Sequence, residues 1–414
     1  MVTGESKGMA SRGFFAWFLI AVFYALQYIF RVIPNTFSSI IMEKFNVGAL
    51  ALGQFSAFYY VGYTAAHIPL GMLIDRYGPK RVVPLCMAMT VLGVVPMMFE
   101  SWYLVQIGRI ITGLGSAAAA LSIFKVSNMY FGKRFAVMTS IAMVIGFMGA
   151  MYGGVPVLSL MDTYGWNTVM LSIVGIGLSL AVLTAFVLFD TKEDDSEGSF
   201  CEQIKPVFCN KKLLLISVLG GLMIGPLEGF ADGWATAFLS EVCGIEGQYA
   251  AILPSTIFVG SCVGSLTLSY MMNKSADGLS IIIYCGAFTV LSFILMLMGH
   301  CDTGISAFVL LMVIGFCSAY QLVTVCKAIE YAGNESVALA TAVSNMIIMV
   351  FGYFFHTGIS TVVNMYWDGT IQGGQATYGS AVLVKSVLVV PLGALIGTLG
   401  FWVIKATENA RKAS

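Results

Sequence analysis

The chain has 414 residues, of which 58% are hydrophobic and only 10% charged. A soluble globular protein carries about 25% charged residues because its surface faces water, so this composition excludes a soluble domain of such length and points to apolar surface exposed to lipid. Net charge is zero, 21 Lys and Arg against 21 Asp and Glu, which leaves no basic footprint for nucleic acid.

A helix needs about 20 apolar residues to cross the hydrocarbon core of a bilayer, and twelve such runs follow one another along the chain. The first six cover 13–38, 50–73, 82–99, 102–128, 135–160 and 167–189; the second six cover 213–240, 249–272, 279–299, 305–331, 336–364 and 379–405. The first run follows Lys7 and Arg12 as a signal peptide would, but it is too long for an h-region and no small-residue cleavage site follows it. A β-barrel would show segments of about 10 alternating residues instead. Between the two sets lies the one long polar interruption, 190–212. The expected fold is therefore all-α: a polytopic membrane protein of two pseudo-symmetric six-helix bundles, 1–189 and 213–414, joined by a linker over 190–212.

With an even number of spans both termini share one side. Of the 21 basic residues, 15 fall on that side, only Lys44 lies in a loop on the other, and five are inside runs. Loops rich in Lys and Arg face the cytoplasm, so both termini are expected there, in a cell (inner or plasma) membrane. The nine cysteines are odd in number and form no CxxC pair. Most sit in apolar runs, where a thiol behaves as a small hydrophobe, and no disulfide or metal framework is expected.

After the second run comes Gly71-Met72-Leu73-Ile74-Asp75-Arg76-Tyr77-Gly78-Pro79-Lys80-Arg81. Gly71 is expected to permit close helix approach, Gly78 to turn the chain, and Asp75 to satisfy a helix N-terminus, that at Asn334-Glu335-Ser336 being a candidate, or nearby arginines. The fourth run carries Arg109-Ile110-Ile111-Thr112-Gly113-Leu114-Gly115, and the fifth carries Gly146, Gly149, Gly153, Gly154 and Pro156, with Tyr164-Gly165-Trp166 before the sixth. Small residues at four-residue spacing let helix backbones touch in lipid. These stretches resemble the signature loop G-x-L-x-D-r-x-G-x-k-r, the R-x-x-x-G-x-G motif and the glycine-rich fifth helix of the major facilitator superfamily. The resemblance implies secondary transport by alternating access, a solute site between two halves near the midplane, and a conformational role for Gly71, Asp75, Arg76, Gly78, Arg81 and Arg109. After Gly264 the equivalent loop of the second half lacks the acidic residue.

Charged residues deep in membrane helices are functional candidates by default. In the first run Tyr24, Gln27, Tyr28, Arg31 and Asn35 recur at three- and four-residue steps and so share one helix face, with Pro34 expected to kink the helix beside them. Arg31 offers a planar donor fork suited to a carboxylate or phosphate; the alternative is a structural arginine paired with an acid. In the seventh run Glu228 and Asp232 stand one turn apart after Gly225-Pro226. They repel when both are ionised, so one is expected to hold a proton, as a proton-coupled carrier requires; equally, one could neutralise Arg31 or bind a substrate ammonium. Lys125 could line the inner cavity or snorkel to the interface. Tyr320, Gln321, Thr324, Thr341, Asn345 and His356 form further polar stripes, and His356 is a proton-relay candidate by chemistry.

No P-loop, H-E-x-x-H or G-x-S-x-G motif occurs, so neither ATP-driven transport nor catalysis is expected, and no cofactor or metal. The expected function is a secondary active transporter of a small polar solute, zwitterionic or anionic, such as an amino acid or small peptide. It could be a proton symporter, and it is expected to act as a monomer in nutrient uptake. Organic-anion, organophosphate or nucleoside transport is the alternative within the class, and a non-transporting receptor the alternative outside it.

Overall fold

The computed structural model describes residues 2–131, 134–189, 207–245, 248–274, 277–332, 337–367, 369, 371–372, 375–376 and 378–413. The side chains of Asn35 and Asp75, and residues 334–336, lie outside what is described, as do Cys201 and most of the linker.

In the first half the helices are α1 (Val2–Thr36), α2 (Ser38–Phe45), α3 (Ala49–Tyr77), α4 (Pro79–Leu92), α5 (Trp102–Phe131), α6 (Phe135–Tyr152), α7 (Val155–Tyr164) and α8 (Trp166–Val187). In the second half α9 (Lys211–Leu222) leads into a π-helical stretch, Pro226–Trp234, and then α10 (Ala235–Glu241). There follow α11 (Gln248–Ile252), α12 (Ser255–Asn273), α13 (Gly278–Leu297), α14 (Gly304–Ser318), α15 (Tyr320–Ala332) and α16 (Val337–Tyr366). A two-residue antiparallel ladder, β1 (Ile371–Gln372) with β2 (Gln375–Ala376), precedes α17 (Ser380–Val387) and α18 (Val389–Ala413). The fold is all-α and polytopic.

Ten helices among the described residues are long and apolar enough to cross a membrane, and the pair 141–152 and 156–164, bent by 41°, makes an eleventh. Against the expected twelve, the run at 50–73 is the one outside this set. Its helix α3 has 29 residues, about 43 Å at 1.5 Å per residue, but it carries Gln54, Ser56, Tyr59, Tyr60, Tyr63, Thr64 and His67 on the way.

Packing divides the chain into two compact units: residues 1–31 with 58–197, and residues 32–57 with 198–414. The cut therefore passes through α1 and α3 as well as the linker. In the first unit α3 and α5 touch backbone to backbone: a Cβ on Gly62 would lie 2.1 Å from the Ile110 carbonyl oxygen, and one on Gly113 would lie 2.0 Å from that of Tyr59. Gly115 meets α4 at the Cys86 carbonyl in the same way. In the second unit α12 and α14 repeat the arrangement, with Gly260 against the Met312 carbonyl and Gly315 against that of Ile257. Lipid gives helices no hydrophobic reason to associate, so close backbone approach through small residues carries the packing.

One expectation fails outright. Cys243, just after α10, is joined by a disulfide to Cys301, between α13 and α14. The two lie 58 residues apart in sequence, and only the fold brings their short loops together, so spacing gave no sign of the pair.

Candidate functional site

In α1 the proline at position 34 has no N–H, so the Phe30 carbonyl one turn earlier loses its helical donor. In lipid such a group must be satisfied by protein. Arg109 on α5 does this: its Nη1 donates to Phe30 O at 2.6 Å and its Nη2 to Arg31 O at 3.2 Å. Gly113 and Gly115 on the same helix let α5 pack closely on α3 and α4. Arg109 is 4% exposed and also lies over the Tyr59 ring, 4.9 Å from its centroid.

Arg31, 5% exposed, sits beside the backbone that Arg109 holds. Its guanidinium lies 4.9 Å from the Tyr28 ring centroid and 5.6 Å from that of Tyr60, an arrangement in which the ring quadrupoles stabilise a desolvated cation. Tyr59 donates from its hydroxyl to Gln27 Oε1 at 2.6 Å, and Tyr24 stands edge-on to Tyr28 with ring centroids 5.3 Å apart. Gly146 on α6 leaves the room Tyr24 fills, since a Cβ there would come within 2.4 Å of its ring. The face of Tyr24, Gln27, Tyr28 and Arg31 is thus one continuous polar and aromatic stripe, met by Tyr59 and Tyr60 of α3.

In the second unit α9 ends at Leu222 and the chain re-forms as a π-helix over Pro226–Trp234. Glu228 and Asp232 both lie in this stretch, 0% and 1% exposed. π-helical turns are rare and recur at functional sites. Two further devices hold the break: Tyr320 on α15 donates to Gly220 O at 2.6 Å, and the glycines of the stretch admit α16. A Cβ on Gly229 would strike Phe355, and one on Gly233 would lie 2.7 Å from His356 Cε1. His356, 1% exposed, therefore packs on the residue adjoining Asp232. Across α15 and α16, Gln321 Nε2 donates to Asn345 Oδ1 at 3.3 Å.

The sequence model of the Major Facilitator Superfamily matches residues 17–355, a range that holds Arg31, Arg109, Glu228 and Asp232 and ends one residue before His356. The chain is a member of that superfamily. It is 24% identical over 290 residues to an uncharacterized transporter, YybO, of Bacillus subtilis, a stretch spanning 62% of this chain and 65% of that one. Two solved structures share the fold at low identity. A bacterial homolog of the human lysosomal transporter Spinster, inward-facing and occupied, superposes with a TM-score of 0.70 at 16% identity, covering 95% of this chain and 97% of that one. The nucleoside transporter NupG superposes with 0.71 at 13% identity, covering 93% and 99%.

This member of the superfamily keeps some of its sequence-predicted residues together and separates others. Tyr24, Gln27, Tyr28 and Arg31 form one cluster with Arg109; Glu228, Asp232 and His356 gather at the π stretch; Gln321 and Asn345 pair. Tyr320 is turned to the backbone of α9. Lys125 is half-buried and lies 16 residues beyond Arg109 on the continuous helix α5, about 24 Å along its axis by helical rise. In the signature loop Gly78 turns the chain at φ 78°, and Arg76 and Arg81 are exposed, with Arg76 over the Tyr77 ring at 5.5 Å. Gly71 departs from expectation: a Cβ there would meet none of the described residues within 4 Å. Tyr59 and Tyr60 are the residues that sequence reasoning missed. The doubled tyrosine in the middle of a membrane run was the available signal.

Proposed function

We propose that this protein is a secondary active transporter that moves a small carboxylate-bearing solute, zwitterionic or anionic, by alternating access. The reading is carried by one observation: a buried guanidinium, Arg31, seated on two tyrosine rings, with its own backbone pinned by a second arginine. Keeping that charge in a membrane helix is costly, and a carboxylate received by its planar fork is the return. Glu228 and Asp232, with His356 beside them, supply a proton-coupling group or a partner for a substrate ammonium.

The loops bearing Cys243 and Cys301 are on the side opposite the basic loops in the sequence-derived topology. A disulfide suits an oxidising exterior, which supports termini in the cytoplasm.

The test is uptake of labelled amino acids and small carboxylates by proteoliposomes. Arg31→Ala should abolish uptake while Arg31→Lys retains a fraction, and both should remain folded by thermal unfolding in detergent. Glu228→Gln should keep solute binding but remove stimulation by an inward proton gradient. Unchanged uptake by Arg31→Ala would sink the assignment. A second reading, nucleoside transport, has its own support in the tyrosine set Tyr24, Tyr28, Tyr59 and Tyr60, whose rings could stack a base. A thermal-shift screen in which nucleosides but no carboxylate stabilise the protein would favour it.

A further inference from the structure

Away from these clusters, α13 and α18 bound a cavity of about 380 Å³ at the end of the molecule where α18 runs out to the C-terminus, lined by Ser280, Ile283, Tyr284, Trp402, Lys405 and Asn409 among others. Trp402, Lys405 and Asn409 recur at three- and four-residue steps, so one face of α18 supplies them. Asp277 caps α13, accepting from the Leu279 N–H at 3.2 Å and from the Ser280 hydroxyl at 2.6 Å. The Lys405 ammonium donates to Asp277, 3.0 Å away, and to the Ser280 hydroxyl. An ammonium has three N–H donors, so Asp277 and Ser280 hold two and the third is left for the cavity.

Trp402 and Tyr284 are 59% and 65% exposed, and their N–H and O–H, like the Asn409 amide, make no hydrogen bond among the described residues. The cavity therefore offers donors in excess of acceptors. On the next face of α13, Tyr284 also borders a second groove, about 480 Å³, that is otherwise walled by apolar and thiol side chains, including Leu268, Phe288, Val313 and Phe316. A pocket of donors at the helix ends, sharing one tyrosine wall with an apolar trough, matches the chemistry of a phosphate beside an acyl chain. Tyrosine and tryptophan also favour the headgroup level of a bilayer.

We infer that this groove is a binding site for a glycerophospholipid, its phosphodiester held by Lys405, Asn409 and Trp402 and one acyl chain laid past Tyr284 against α12 and α14. The site lies apart from the transport residues and is independent of the proposed solute.

Native mass spectrometry of the purified protein, delipidated and then titrated with phosphatidylglycerol, tests this. The wild-type protein should retain one phospholipid. Lys405→Gln should bind it about tenfold more weakly, the size of one charge-assisted hydrogen bond, and Val313→Trp should block the chain. Asn409→Leu changes only the rim and covers the case in which Lys405→Gln does not fold. Retention at wild-type strength in the variants overturns the site. So does full competition by monoolein, which has the chain without phosphate, or by inorganic phosphate, which has the anion without a chain.

Discussion

Helix α1 and the stretch from α9 into the π-helix each carry a proline in the membrane, and near each a backbone carbonyl is held by a side chain from another helix, but by different means. In α1 the helix runs on through Pro34, and a permanent cation, Arg109, takes two carbonyls. In the second unit the helix breaks before Pro226 and resumes with wider turns, and a neutral phenol, Tyr320, takes one carbonyl that also accepts from the Met223 N–H at 3.1 Å. The first arrangement is rigid and fixes the basic residue beside it. The second leaves two carboxylates on backbone of unusual pitch, with His356 of the regular helix α16 against it, and a local change of winding would re-aim the acids. A fixed cation suits solute recognition; acids on a π-helix suit a group that loses and regains a proton.

Removing Arg109 should break this comparison most severely. Arg109→Ala takes two charge-assisted hydrogen bonds of about 1.5–3 kcal/mol each from buried carbonyls, so the thermal midpoint in detergent should fall steeply and uptake should be lost with it. Arg109→Lys keeps the charge but not the fork, and should recover only part of the stability. An alanine variant with the wild-type midpoint would show that the carbonyls do not need it.

Tyr320→Phe sharpens the contrast from the other side. One neutral bond is removed from a carbonyl with a second donor, which costs about 1 kcal/mol, and uptake should survive. If uptake were abolished at unchanged stability, the hydroxyl would be touching the solute rather than holding the helix.

The difference between the two regions was only half legible in the sequence. The stripe from Tyr24 to Arg31 could be read because α1 keeps a regular 3.6-residue period, while Pro34, expected only to kink the helix, also leaves a carbonyl in need of a donor. That Arg109 would supply it depends on how α5 lies against α1, which no local pattern specifies. The π stretch was invisible, since a widened turn leaves Glu228 and Asp232 four residues apart whichever way the helix winds. Tyr59 and Tyr60 went unread within their run, whose polar residues left α3 the one expected run outside the set apolar enough to cross. Cys243 and Cys301 meet only through tertiary structure.

The smallest effect expected is at Asp277, and it separates titratable from permanent support. Partial burial raises this carboxyl, but the Ser280 hydroxyl, Lys405 and the Leu279 N–H together outweigh it and hold the group below the usual carboxylate range. A depressed carboxylate stabilises the fold above its unfolded value, near 3.9, and that support is lost as pH falls through the lower folded value. The pair is substantially exposed, with Asp277 at 48%, so its contribution should be about 0.2–1 kcal/mol. Asparagine also caps helices well, so Asp277→Asn removes the charge while keeping the cap. The variant should unfold slightly below the wild-type protein at pH 7, and the gap should close as pH is lowered past 4. Arginine does not titrate in that range, so the deficit of Arg109→Lys should keep its size over the same interval. Two deficits that shrank together would mean that acid loosens the whole bundle rather than the Asp277–Lys405 pair.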